Sequence, residues 1–152
     1  MILIDIFVHK AKIVCWCKQE EKDIYFEDTI RPKIYFETFN EDFAKKVLSG
    51  QKVRKTRKKH LVKGRINVLE ITFNSINHFY FNFKRIEKRL SNVGTFYNAD
   101  ISVPERYMFE NSLYPLAKVK QLNGKLKAID SPQDYEYEVP KLRIAKIKIN
   151  NN

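Results

Sequence analysis

The sequence predicts an α+β fold: an N-terminal antiparallel β meander, a ferredoxin-like β-α-β-β-α-β core, and a C-terminal helix with a β hairpin. Three observations predict it. Short runs rich in β-branched and aromatic residues, separated by polar turns, occupy the chain through residue 36. Two segments with apolar residues at helical spacing, 41–48 and 77–91, are each flanked by strand-like runs. A capped helix start at Ser102 and an Asn-Gly turn at 123–124 then follow in order.

Residues 2–7, 12–17 and 23–26 are the meander strands. Arg31-Pro32 interrupts them, because proline holds its neighbour extended and cannot donate to a ladder. A strand over 33–36 opens the core. Asn40 is a suitable N-cap, with Glu41 and Asp42 at the positive end of the following helix dipole. Phe43, Ala44, Val47 and Leu48 give that helix one apolar face, and Gly50 stands where a C-terminal cap belongs. Residues 52–59 and 66–73 are β-prone and join around Lys63-Gly64 as a hairpin. In the longer helix, Phe79, Phe83, Ile86 and Leu90 form the buried stripe; Gly94 ends it, and 95–101 returns as a strand. This order is also the skeleton of the RNA-recognition module, but that module's aromatic-rich strand motif is not found.

Ser102-Val103-Pro104-Glu105 reads as a capping box with an early proline, starting a helix that runs to about residue 111. Strands over 119–122 and 125–129 flank Asn123-Gly124, a type I′ hairpin signal. A final strand is expected over 142–149. The expected organisation is a meander (1–32), a core with its following helix (33–115) and a C-terminal hairpin and strand (116–152), packed as one unit.

The chain of 152 residues carries a formal charge of +11, and a hydrophobic fraction of 43% is enough to build a core. Between residues 43 and 69 there is no Asp or Glu, whereas ten Lys and Arg residues fall there. Charges of one sign at this density repel unless a polyanion neutralises them, and a phosphate backbone is suited to that. The candidate phosphate-binding residues are Arg31, Lys52, Arg54, Lys55, Arg57, Lys58, Lys59, Lys63 and Arg65. A solvated, colloidally stabilising face is the alternative reading.

Cys15 and Cys17 flank Trp16 and read as reduced, semi-buried strand residues; with His9, His60 and His78 scattered, no metal and no cofactor is expected. No nucleophile–base pair or phosphate loop is visible, so no catalytic residue is assigned and no enzymatic activity is expected. No apolar stretch approaches the ~18 residues that read as a membrane-spanning helix, and the N-terminus lacks a signal-peptide layout. A cytoplasmic protein without membrane contact is expected.

Several segments carry a resemblance. Met1-Ile2-Leu3, Asp28-Thr29-Ile30-Arg31-Pro32-Lys33-Ile34-Tyr35, Lys58-Lys59 with Leu61, Asp100-Ile101 with Arg106-Tyr107, and Leu113-Tyr114-Pro115 occur in one order. In that order and near that spacing, the chain resembles the N-terminal domain of archaeal family B DNA polymerases. In that family the strand after this domain carries the first carboxylates of the proofreading exonuclease. Here residues 141–149 contain no acid, so neither cutting nor copying chemistry is expected of this chain.

The resemblance implies a template-strand sensor that accepts deaminated bases such as uracil. The implied base pocket comprises Phe7, Pro32, Lys33, Phe79, Ile101, Ser102 and Arg106. Lys33 stands where the family carries an aromatic residue, Ser102 where it carries a proline, and Phe79 is bulky enough to fill the cavity. Each also has a structural reading: Phe79 as core on its helix stripe, Ile101 as a strand end, Arg106 as a loop brace, Phe7 as sheet packing. Tyr80, Tyr97, Tyr107 and Tyr114 are either stacking platforms for single-stranded DNA or buried tyrosines with satisfied hydroxyls. The leading expectation is a non-catalytic DNA-binding module. Its rival is an accessory subunit docking on a separately encoded DNA polymerase or exonuclease body through 135–138 and 142–149.

Overall fold

A computed structural model describes residues 1–132. The expected strand over 142–149 and the segment 135–138 lie outside the described residues. The three N-terminal strands, β1 (Ile2–His9), β2 (Lys12–Gln19) and β3 (Lys22–Asp28), form an antiparallel sheet in the order β1-β2-β3. All three run longer than their apolar segments, because ladder pairing continues through polar ends such as His9↔Lys12 and Gln19↔Lys22.

The core is α+β, as the apolar periodicities predict. It comprises β4 (Lys33–Thr38), α1 (Glu41–Val47), β5 (Lys52–His60), β6 (Gly64–Thr72), α2 (Ile76–Leu90) and β7 (Gly94–Tyr97). The sheet order is β5-β6-β4-β7 with every pair antiparallel, which is the ferredoxin-like arrangement. Successive side chains of a strand point to opposite faces. Ile34, Phe36, Leu69 and Ile71 therefore share one face and are buried there with Ala44 and Leu48 of the α1 segment and Phe79, Ile86 and Leu90 of α2. Lys33, Tyr35 and Glu70 point to the other face, away from α1 and α2.

The helix signals translate directly into caps. The Asn40 side chain accepts from Phe43 N–H; α2 is capped by Ser75, which the sequence reading did not single out and whose side chain accepts from His78 N–H. Ser102 and Glu105 form the reciprocal capping box that starts α3 (Val103–Asn111). The strands β8 (Val119–Leu122) and β9 (Lys125–Ala128) meet at Asn123 and Gly124, whose φ values of 51° and 76° suit the type I′ turn. The segment before β8 runs along β1: Leu3 N–H donates to the Ala117 carbonyl and Leu116 N–H to the Leu3 carbonyl, both at 2.9 Å. One continuous apolar cluster consequently joins Leu3, Ile13 and Cys17 of the meander to Phe36, Leu90, Val103 and Leu126.

Three local expectations are corrected. Gly94 does not end α2 but opens β7, where it pairs with Thr38. The strand expected over 95–101 stops at Tyr97, because Asn98 adopts φ 60° and the chain then bends toward Arg106. Leu48 rather than Gly50 caps α1. Cys15 and Cys17 are free, as expected, but fully buried instead of semi-buried. Burial pushes their thiols up to about 12 and about 11 respectively. Among the described residues, no helix is long and apolar enough to cross a membrane.

Candidate nucleic-acid interface

The basic hairpin is built by β5, β6 and the turn between them, and β5 is an edge strand of the core sheet. Strand alternation divides its cations. Lys52, Arg54 and Lys58 share the helix-free face with Lys33 and Tyr35 of β4 and Tyr97 of β7, whereas Lys55, Arg57 and Lys59 point to the helix side. The nine candidate phosphate-binding residues are thus not one surface. A run of charges in sequence becomes two rows once it is a strand.

Nor is the run free of carboxylates in space. Lys45 and Lys55 both pair with Glu41 at 2.8 Å, and Lys63 pairs with Glu37 at 2.8 Å. Arg54 donates one nitrogen to both oxygens of Glu70, at 3.1 and 3.3 Å, and Glu70 is buried. Arg54 is therefore occupied in neutralising an interior carboxylate. The acids arrive from β4, α1 and β6, elements adjacent in the fold and distant or outside the run in sequence. Among the described residues, Lys46, Lys52, Arg57, Lys58, Lys59 and Arg65 make no ion pair.

On the helix-free face, the Lys58 ammonium lies 4.6 Å from the centroid of the Tyr35 ring. Half-buried Tyr35 and Tyr97 are cross-strand partners, so two aromatic rings stand side by side on β4 and β7. At one end of this face is a cleft of about 610 Å³, walled by the β3–β4 connection, α3 and the β8–β9 hairpin. Its cations are Arg31, Lys33, Lys52, Arg54 and Lys125; its acids are Asp28, Glu70 and Glu110. Glu70 is paired with Arg54, whereas Asp28 accepts from the neutral Tyr107 hydroxyl at 2.8 Å and keeps its charge, so Arg31, Lys33, Lys52 and Lys125 share the cleft with two charged carboxylates, Asp28 and Glu110. A second cavity, of about 430 Å³ on the helix side, is lined by Lys55 and Arg57, but Lys55 is paired with Glu41 and Arg57 donates to Asn67 at 3.1 Å.

At the other end the hairpin turn is tied down. The His60 Nδ1 accepts from the N–H groups of Val62 and Lys63, both at 3.1 Å, and the His60 ring meets Tyr97 edge-on at 5.5 Å between centroids. Lys63 and the Tyr97 hydroxyl both donate to Glu37, at 2.8 and 2.6 Å. These bonds, that of Lys63 foremost, hold the Glu37 carboxyl below its ordinary value of 4.5. A depressed carboxyl pKa stabilises above the unfolded value and ceases to as pH falls through the folded one. The Tyr97 ring resonances in NMR are therefore expected to move as pH falls below about 4.5 and Glu37 becomes protonated. In Glu37→Gln that acid-side movement should vanish.

The residues of the implied base pocket are placed differently from that expectation. Pro32 and Phe79 are buried, and Arg106 is only 5% exposed. The Arg106 guanidinium donates to the carbonyls of Lys33 at 2.7 Å, Asn98 at 2.5 Å and Ile101 at 3.0 Å, and lies over the Phe79 ring. The Ser102 side chain accepts from Glu105 N–H as the α3 cap, Ile101 is half-buried, and Phe7 is a surface position of β1 paired with Val14. Pro32, Phe79 and Arg106 are interior packing, so they do not line an open base pocket; Lys33 instead lines the cleft. Tyr107 is likewise buried, while Tyr80 is exposed.

Tyr35 and Lys125 belong to the candidate interface and were not singled out by sequence reasoning. The signal for Tyr35 was the alternation of β4, where Ile34 and Phe36 are buried and Lys33, Tyr35 and Glu37 are not. Lys125 had none, since only the fold brings it to the cleft that Glu110 and Asn111 of α3 also line. No protein-family model matches the chain, and no curated protein matches its sequence.

Proposed function

We propose that this protein is a non-catalytic binder of single-stranded DNA, and that the strand lies along the helix-free face of the core sheet. The observation that carries the proposal is the coincidence on that face of two neighbouring tyrosine rings with cations that no carboxylate of the described residues engages. Aromatic rings stack on any base, and cations track the backbone, which is the common design of sequence-tolerant single-strand binding. Lys52 and Lys58 on β5, with Lys33 and Arg31 toward the cleft, supply the backbone contacts; Tyr35 and Tyr97 supply the stacking. The likeness of the 28–35 and 106–107 segments to polymerase N-terminal domains supports DNA, in the manner of a template strand. Recognition of a deaminated base would require Phe79 and Arg106 to leave the interior. The proposed contacts are therefore to backbone and stacked bases, not to a flipped one.

A salt titration separates the two faces of the hairpin. On single strands, log affinity falls with log salt at about 0.7 per phosphate contact. Lys52→Ala with Lys58→Ala should flatten the slope by about 1.4, twice that value, whereas Arg57→Ala with Lys59→Ala should leave it in place. Arg54 is left intact because its loss would strand Glu70. Equal flattening by the two pairs would defeat the assignment to the helix-free face, and no measurable binding of a single strand would defeat the function itself.

A further inference from the structure

The tip of the β5–β6 hairpin presents an unusual pair. Leu61 is 99% exposed and Val62 84%, so two adjacent aliphatic side chains stand entirely in water. Single exposed apolar residues are ordinary, but such a pair on a tethered turn is a feature that calls for a partner. The turn is held in shape by the two hydrogen bonds to His60 Nδ1 and by the Lys63–Glu37–Tyr97 link. Lys58 and Lys59 precede the tip and Lys63 and Arg65 follow it, and all four side chains are exposed. Among the described residues, the carboxylate linked to the turn is Glu37, and it is already engaged by Lys63 and Tyr97.

We infer that Leu61 and Val62 form a wedge that enters the first base step where a nucleic-acid duplex opens into a single strand. The inference rests on the single-strand reading above and adds the form of the ligand: a junction, not a uniform strand. Aliphatic side chains make poor stacking platforms, yet they are the type that proteins insert between base steps. Cations on both sides of the apolar pair match a structure with phosphates on both sides of a stack. The tip also lies beside Tyr97, at the end of the face on which the unpaired strand would lie. A base leaving the duplex at the wedge would therefore pass onto the tyrosines.

The test uses the full chain with three DNA probes of equal length: a single strand, a duplex, and a fork carrying 2-aminopurine at its first paired position. Wild type is expected to bind the fork about tenfold more tightly than the single strand and to raise 2-aminopurine fluorescence as the base unstacks. The double variant Leu61→Ser, Val62→Ser should lose both effects while keeping the single-strand affinity and its salt slope. Leu61→Met with Val62→Ile, which keeps an apolar tip, should retain them. A wild type without fork preference, or a serine variant that keeps it, overturns the wedge and leaves single-strand binding standing. Absence of single-strand binding removes both. Vesicles of phosphatidylglycerol are the contrasting arm, since an apolar tip ringed by cations also fits an anionic bilayer. Tip-dependent vesicle binding without fork preference overturns the inference in favour of that surface.

Discussion

Replacing Arg106 with alanine is expected to lower stability by about 3–5 kcal/mol, from the loss of three hydrogen bonds to a charged group at about 1.5–3 kcal/mol each, less the relief of desolvating the cation. The guanidinium gathers three carbonyls from separate places: Lys33 at the start of β4, and Asn98 and Ile101 in the bend after β7. No other side chain is hydrogen-bonded to these three carbonyls among the described residues, and truncation also removes the cation lying 5.3 Å from the Phe79 ring centroid. Three acceptors losing their donor outweigh the relief of desolvation that burial imposes on the cation, because an unsatisfied buried group costs about 1–3 kcal/mol each. Arg106→Lys should recover part of the loss, since one ammonium keeps the charge but cannot reproduce the planar fork. The urea midpoint measures this. A loss below about 1 kcal/mol would show that the arginine is not a brace and is available to a ligand.

The fold was legible because its signals are local. Asn40 and Ser102 cap helices through their own side chains, and the apolar stripe of α2 needs only its own sequence. Where an element is ended by a distant partner, the sequence reading failed. The strand predicted to 101 ends at Tyr97 because Arg106, on α3, draws in the carbonyls of Asn98 and Ile101. Nothing within the segment 95–101 states that.

The candidate interface was legible as charge and illegible as surface. Ten cations without an acid between residues 43 and 69 is a fact of sequence, but which of them remain without an acid is decided across strands. Glu37, Glu41 and Glu70 each reach the run from a neighbouring element. The implied base pocket fared worse, because alignment transfers positions and not burial. Phe79 and Arg106 pack against each other in the interior, and the helix-stripe reading of Phe79 is the one its burial supports.

Gly94→Ala is expected to cost about 3 kcal/mol, at the upper end of what overpacking a tight site usually costs. A Cβ built on Gly94 would lie 2.1 Å from the Glu37 carbonyl oxygen and 2.7 Å from the Phe36 ring. The first neighbour is backbone, so no side-chain rotation relieves it; β7 must move away from β4. Gly→Ala at an unstrained position commonly stabilises by about 0.4–1 kcal/mol through the unfolded chain, which is too little to offset that clash. Gly50→Ala is the control: its Cβ would meet nothing within 4 Å, so a neutral or slightly favourable change is expected. Because β7 carries Tyr97, its displacement should also loosen the link to Glu37 and the contact with His60. Gly94→Ala should then weaken single-strand binding most at high salt, where backbone contacts are screened and stacking carries a larger share. Unchanged binding at high salt, with the stability loss confirmed, would remove Tyr97 from the proposed interface.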